Sequence, residues 1–310
     1  TMSQDTTVPS DTTYGKFSKS IKIDVTTADT SIGSTGSHSL QQNIEASFLH
    51  HSGWDYTNSS SKITLSFWAR SVKAGDYHVN LQATDATRYF VAKYTLVANT
   101  WKHIEVVVPG NSDLVFNDDN GEGLQVRWML SAGDDRNDAT ADTWYNPGSD
   151  FDQTTNTQVN FFDSTDNNFF LTGVQLEVGD AATNFEHLPF DVQLRRCQRY
   201  FYRTPDGGDS GVSAAYQHLG NGYMHASTNF IGHIVFPEVM RAAPTCTFAG
   251  EVQILDHSGA RDPGSNISFE SPTSRSVQPQ ATISGATQGH GAVIRLHNDS
   301  DAYVQADAEL

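Results

Sequence analysis

Hydrophobic and polar residues alternate with period two through most of the chain. Ile63, Leu65, Phe67 and Ala69 fall on one side, and Lys62, Thr64, Ser66, Trp68 and Arg70 on the other. Successive side chains of an extended chain point to opposite faces, so such a row predicts a strand with one face buried. The alternation recurs at Ile21, Ile23 and Val25, and more weakly at Leu40, Gln42 and Ile44. It returns at Tyr77–Val79–Leu81–Ala83, Phe90–Ala92–Tyr94–Leu96, Ile104–Val106–Val108 and Leu124–Val126–Trp128–Leu130. Val159 and Phe161 continue it, and Phe170, Thr172, Val174, Leu176 and Val178 form the last row before a change of pattern. The runs are short and are separated by turn residues. They predict an all-β chain that opens with an antiparallel sandwich. About nine or ten strands in roughly 180 residues favour a jelly roll over a seven-strand immunoglobulin-like sandwich.

The period changes after the turn at Gly179-Asp180. Phe190, Leu194, Cys197 and Phe201 are spaced as one stripe of a helix. Pro189 suits a helix start, because its missing N–H would be unpaired there anyway. Asp191 in the first turn and Arg195, Arg196 and Arg199 later complement the helix dipole. Alternation resumes at Met224, Ala226, Thr228 and Phe230, then Ile234 and Phe236. Cys246, Phe248, Gly250, Val252 and Ile254 read as one strand, followed by Ile267 and Phe269, by Ala292, Ile294 and Leu296, and by Ala302, Val304, Ala306 and Ala308. Between Pro237 and Pro244 the chain is expected to be a loop or edge crossing. The resulting plan has a polar lead-in over 1–19 and an N-terminal jelly-roll β-sandwich over 20–187. A short linking helix over 188–203 then couples it to a smaller C-terminal β-sandwich over 204–310, whose strands begin past Gly211. Thr1 precedes Met2, which leads us to expect a segment upstream.

Charge narrows the function. The net charge is −17, with only 19 Lys and Arg scattered along the chain. A phosphate-backbone binder needs a basic stripe, so nucleic acid is not an expected partner. No apolar run approaches the roughly 20 residues that span a bilayer, and no signal-peptide pattern is present, so membrane insertion is not expected. Cys197 lies on the helical stripe and Cys246 in an apparent strand, which predicts two buried free thiols.

Several segments together resemble the C-terminal regions of bacteriophage tail fibre and related virion appendage proteins. They are FWARSVKAGDYHVNL (67–81), WKHIEVVVPG (101–110), LTGVQLEVGDAATNFEH (171–187), LRRCQRYFYR (194–203) and FPEVMRAAPT (236–245). The first domain is similar to the jelly roll of carbohydrate-binding modules. The resemblance is strongest over 60–203, moderate over 236–245 and at the ending AYVQADAEL, and weak before residue 40. It implies a virion protein at the distal part of a fibre, commonly a homotrimer. Its partners would be other virion tail proteins and host cell-surface polysaccharide. In that setting Phe190, Leu194, Arg195, Arg196 and Arg199 would form an assembly interface; otherwise the stripe packs on its own domain and the arginines are solvated.

Sugar binding needs aromatic platforms with polar groups beside them. Trp54, Tyr56, Trp144 and Tyr145 lie in loop-like stretches next to Asp and Asn, and are the candidates for a glycan site; the alternative is that they pack loop onto sandwich. Trp144 and Tyr145 belong to a long connection, 132–157, holding six Asp. Its Asp134, Asp135, Asp138 and Asp142 could serve a polysaccharide-cleaving tail spike, but a glycosidase needs a paired acid with a raised pKa, and any acidic loop supplies carboxylates. There is no Gly-x-Ser-x-Gly elbow, and the 12 His lack zinc spacing. In FNDDNGEG (116–123) the oxygens of Asp118, Asp119, Asn120 and Glu122 invite calcium, yet aligning Gly121 with the required glycine places Phe116 at the first ligand position. No metal or cofactor is therefore expected, with a calcium site of another kind left open. The sequence reads as a non-enzymatic adhesin, with a purely structural virion decoration or docking protein as the alternative.

Overall fold

A computed structural model describes residues 1–148, 151–204, 217–297 and 302–310. The chain divides into two compact units, Thr1–His187 and Leu188–Leu310. The expected beginning of the second set of strands near Gly211 lies outside the described residues.

The first unit contains β1 (Met2–Asp5), β2 (Ser20–Asp24), β3 (Ser37–Glu45), a short helix α1 (Ala46–His50), β4 (Lys62–Ser71), β5 (Gly75–Ala83), β6 (Arg88–Leu96), β7 (Lys102–Pro109), β8 (Glu122–Ala132), β9 (Trp144–Tyr145) and β10 (Asn168–Val178). They form two antiparallel five-stranded sheets, in the orders β1-β2-β10-β4-β7 and β3-β8-β5-β6-β9. The chain crosses repeatedly from one sheet to the other, which winds it as a jelly roll. The alternating rows meet between the sheets. Phe67, Tyr77, Val79, Leu81, Leu124 and Phe161 are all completely buried there. Burial of that much apolar surface is the main stabilising contribution, at about 25 cal/mol per Å².

Two parts of the first unit differ from the sequence reading. Strand β10 does not hold one face along its length. Phe169 and Leu171 enter the core, whereas Phe170 lies on the opposite face under the Arg70 guanidinium, 5.0 Å from its ring centroid. Pairing with β4 slips between Thr172 and Gln175, after which Leu176 faces inward. The slip is a β-bulge at Gly173, whose φ of +62° suits a residue without Cβ. One extra residue reverses parity, so the core side passes from odd positions (Phe169, Leu171) to the even position Leu176, while Val174 in the bulge and Val178 at the end of the strand are exposed.

Residues 1–19 are not a loose lead-in either. β1 pairs with β2, and the stretch after it packs on the outside of the β4-containing sheet. Tyr14 stacks on His103 at 3.7 Å and donates to Glu105 Oε1 at 2.9 Å. Phe17 meets the Phe185 ring edge-on at 5.1 Å and covers Gly173, where a Cβ would come within 2.6 Å of it. Aromatic side chains spaced through a polar segment are enough to anchor it, although they make no alternating pattern.

The second unit begins with α2 (Phe190–Gln198) and continues with β11 (Phe201–Thr204), β12 (His218–Ala226), β13 (Asn229–Val235), β14 (Thr245–Ala249), β15 (Val252–Asp256), β16 (Gly259–Arg261), β17 (Ile267–Glu270), β18 (Ser276–Thr282), β19 (Gly291–Leu296) and β20 (Tyr303–Asp307). A seven-stranded sheet of order β16-β15-β19-β12-β13-β18-β17 and a three-stranded sheet of order β11-β20-β14 share one core. Phe230, Met224, Ile254 and Ile294 come from the larger sheet and Ala306 from the smaller.

The apparent single strand from Cys246 to Ile254 is two. Gly250 turns at φ +71°, and β14 and β15 belong to different sheets. Strand β18 is an addition to the sequence reading and holds Pro279, which has no N–H for a ladder. Its pairing with β13 is interrupted between Ile231–Gln280 and Ile234–Val277, where no donor is required of it.

The stripe of α2 is also corrected. Gln198 is its buried residue, Leu194 is half-buried, and Phe190 is 76% exposed. Cys197 is exposed rather than buried, and Cys246 is half-buried. The helix is short, and its buried residue, Gln198, is its last. No described helix is long and apolar enough to cross a membrane.

Candidate functional site

The outward face of the β3-β8-β5-β6-β9 sheet is where polar chemistry collects. Parity decides which residues reach it. Leu81, Phe90, Val126 and Trp128 point into the core, so Asn80, Gln82, Tyr89, Gln125 and Arg127 point away. Register then aligns them. Arg127 on β8 is paired with Gln41 of β3 on one side and with Asn80 of β5 on the other. In the next row Asn43, Gln125, Gln82, Tyr89 and Tyr145 follow one another across all five strands. Neighbouring strands lie about 4.8 Å apart, so each row is a continuous lane of amide, guanidinium and phenol groups.

Part of this lane is internally bonded. Arg127 Nε donates to Gln41 Oε1 at 3.1 Å, and Arg127 Nη2 donates to Gln125 Oε1. Gln125 Nε2 donates to Glu122 Oε1 at 2.7 Å, and Gln41 Nε2 to Asn43 Oδ1 at 2.6 Å. Three atoms are buried without a hydrogen-bond partner: Arg127 Nη1, Asn80 Oδ1 and Gln82 Oε1. Asn80 is completely buried, and its only bond is a long one of 3.4 Å from Nδ2 to the Gln153 carbonyl. An orphaned donor and two orphaned acceptors on adjoining positions are costly, and natural proteins hold few of them.

The long connection after β8 forms the wall of this face. It returns across the sheet and contributes β9, paired to β6 through Tyr89–Tyr145 and Phe90–Trp144. Beyond β9 it is anchored on the sheet by side chains. His78 is completely buried, with Nδ1 2.8 Å from Gln158 Oε1 and Nε2 2.8 Å from Thr155 Oγ1. Because Gln158 Oε1 can only accept, Nδ1 carries the proton and Nε2 accepts from Thr155. Burial holds the His78 pKa below the ordinary 6.5, so the ring is neutral near pH 7. Tyr145 donates to the Asp152 carbonyl at 2.5 Å, and burial pushes its phenol pKa well up.

The four aromatics expected as platforms are placed differently. Trp54 is 3% exposed, with its ring among Tyr56 and Phe116 in the core and its Nε1 donating to Ser61 O at 3.3 Å. Trp144 is 9% exposed, packed on Phe90, with Nε1 bonded to Pro109 O at 2.7 Å. Neither indole offers an open face for stacking. Both are apolar surfaces large enough to be drawn into a core whenever the loop is long enough to let them in, and each found an acceptor for its N–H. Tyr56 is half-buried against the same core, and Tyr145 is half-buried at the end of the polar lane. Only Tyr145 of the four joins the site.

The remaining expectations separate in the same way. Asp134, Asp135, Asp138 and Asp142 are exposed. In FNDDNGEG, Asp119 Oδ1 accepts from the Gly121 N–H at 2.8 Å, and Asp118 Oδ1 lies 2.8 Å from His51 Nε2. Those bonds make it a self-capped turn. Among the described residues no group of three His, Cys, Asp or Glu is placed to hold a metal ion. On α2, Arg195 lies 3.9 Å from Asp191 and 3.6 Å from Glu238. The polar lane itself was missed from the sequence. Its only signal there is the set of amides at alternate positions of β3, β5 and β8, which reads like an ordinary wet face.

No protein-family model matches the sequence, and no curated protein matches it. Among solved structures the chain is similar to a Family 16 Carbohydrate Binding Module-2, with 12% identity and a TM-score of 0.25 over 53% of this chain and 79% of that one. It is similar to the CBM22-1-CBM22-2 tandem domain of Paenibacillus barcinonensis Xyn10C, with 8% identity and a TM-score of 0.26 over 100% and 91%. It is also similar to the PBSX exported protein XepA, with 11% identity and a TM-score of 0.21 over 97% and 89%. Likenesses this distant carry no argument about what the chain binds.

Proposed function

We propose that the first unit binds glycan without cleaving it, on the polar face of the β3-β8-β5-β6-β9 sheet. The observation that carries this reading is the juxtaposition of Arg127 Nη1, an unpaired donor, with Asn80 Oδ1 and Gln82 Oε1, two unpaired acceptors. A sugar hydroxyl is both donor and acceptor. One or two hydroxyls would complete all three atoms once the half-buried Gln82 and Arg127 side chains swing outward to admit them. Gln41 is exposed and Gln82, Gln125 and Arg127 are half-buried, so the lane is reachable from the β3 side. A chain with net charge −17 repels acidic polymers, which favours a neutral glycan. The test is affinity gel electrophoresis and calorimetry of the full chain against dextran, galactomannan and xylan. Gln82→Ala and Arg127→Ala are expected to weaken binding by roughly five- to tenfold each, about 1 kcal/mol. Unchanged binding in both variants would remove this face as the site.

Within the same proposal, the protein is the distal part of a bacteriophage tail fibre or virion appendage. It is a homotrimer that joins other virion tail proteins and holds host cell-surface polysaccharide. The sequence resemblance supports this, and the exposed Phe190 on α2 suits an assembly contact. Weak sites presented three-fold gain strongly in avidity. Light scattering should give a mass near three times 34.0 kDa. Labelled protein should adhere to host cells and release no reducing ends from their polysaccharide; failure to adhere would favour a structural decoration, and released ends a tail spike.

A further inference from the structure

The second unit carries another row that no expectation covered. On its seven-stranded sheet, Tyr223 of β12 is paired with Ile231 of β13, Ile231 with Gln280 of β18, and Gln280 with Ser268 of β17. These side chains lie on the face away from the core, because their chain neighbours Met224, Phe230 and Ala281 are 0%, 0% and 1% exposed within it. Tyr223 is 46% exposed. Toward β17 the row opens into a groove of about 270 Å³, lined by Asn229, Asn266, Ile267, Ser268, Gln280 and Thr282 among others. All of its polar side chains are amides or hydroxyls, and none is charged. Asn229 Oδ1 is buried there without a hydrogen-bond partner.

An exposed phenol ring and an uncharged polar groove lie two strands apart, about 10 Å at the usual strand spacing. Aromatic face for one ring and amides for the hydroxyls of the next is the chemistry that recognises a short oligosaccharide. A charged ligand would meet no counter-charge in the groove, and an apolar one would leave the Asn229 carbonyl unpaired. We propose that this face is a second glycan site, specific for neutral saccharide. One ring stacks on Tyr223, and another sits in the groove against the Asn266, Ser268 and Gln280 side chains, with Asn229 Oδ1 accepting a hydroxyl once its amide turns outward. The site does not rest on the one in the first unit. Two sites on one chain would raise the apparent affinity for a polymer well above either alone.

The experiment is affinity gel electrophoresis of the full chain against dextran, galactomannan and xylan, with alginate as the acidic control. It compares wild type with Gln82→Ala/Arg127→Ala, with Tyr223→Ala/Gln280→Ala and with all four changes. Tyr223 and Gln280 lie on the surface face of their strands, and matched thermal melts establish that the variants are folded. The expected result is retardation by a neutral polymer that weakens roughly five- to tenfold in each pair and vanishes when they are combined. Tyr223→Phe, which keeps the ring, should bind as wild type does. Complete loss on changing the first-unit pair alone would overturn this proposal and leave the first standing. Loss on changing only the second-unit pair would do the reverse. Retardation by no neutral polymer, or by alginate alone, would overturn both.

Discussion

A residue kept for ligand rather than for stability should be dispensable to the fold, and Asn80 offers that test. Its side chain is completely buried, its Oδ1 has no partner, and its Nδ2 makes one bond of 3.4 Å. Leaving a buried acceptor unpaired costs about 1–3 kcal/mol, while a long hydrogen bond returns about 0.5 kcal/mol. Asn80→Val stays within about one methylene of the same volume and suits a strand. It removes the unpaired acceptor and the weak bond together, and it leaves the Gln153 carbonyl to find another donor. The net expectation is a free protein more stable by about 1 kcal/mol, which in a unit of this size raises Tm by about 2–4 °C. Binding should move the other way. Without the acceptor, a hydroxyl loses one hydrogen bond of about 1 kcal/mol, so Kd rises roughly five- to tenfold. Calorimetric melts and titrations with the neutral polymer that binds wild type read both quantities on one sample. A lower Tm with unchanged affinity would show that Asn80 is an ordinary structural polar group, and the reasoning about orphaned atoms would fall with it.

Trp54→Ala and Trp144→Ala should act through the core: each is expected to cost about 3–5 kcal/mol and to lower Tm by several degrees, with glycan affinity of the folded fraction unaltered. His78 makes stability depend on pH. Burial lowers its pKa in the folded state below 6.5, so the folded form prefers the neutral ring. Its contribution is complete above about pH 6.5 and declines as pH falls through 6.5 toward the lowered value. Denaturant melts between pH 7.5 and pH 5 should show a steeper loss in wild type than in His78→Asn. Finally, Cys197 should react with a thiol reagent in the native protein, while Cys246 should not. Cys197 is exposed, whereas burial pushes the Cys246 thiol pKa up to about 11. Mass spectrometry of the labelled peptides would decide, and equal labelling would contradict the placement of both.

Strand identity was legible wherever parity was uninterrupted. Tyr77, Val79, Leu81 and Ala83 alternate without a break, and all four are completely buried. Parity failed where one residue changed it: the bulge at Gly173 put Phe170 and Leu176 on opposite faces, and Gly250 divided an apparent strand between two sheets. β18, Ser276–Thr282 with Pro279 inside it, was not anticipated at all. The misplacement of Trp54 and Trp144 has another origin. A loop position says that a side chain is free to leave the strand plane, not which way it goes, and a large apolar ring gains most by going inward.

The sequence by itself determined that the chain is all β and, wherever alternation ran uninterrupted, which side chains face a core, because extended backbone sends neighbours to opposite faces and burial rewards only one of them. It also determined that Asn80, Gln82, Arg127 and Tyr223 face away from that core. It could not determine what those outward residues meet. Solvated faces and binding faces have the same composition, and only register between strands distant in sequence sets Arg127 beside Asn80, or Tyr223 in a row with Gln280. Partners were therefore decided by tertiary structure alone. Hydrogen bonds act over about 3 Å, and a difference of one residue in pairing would have sent every one of these groups to the opposite face.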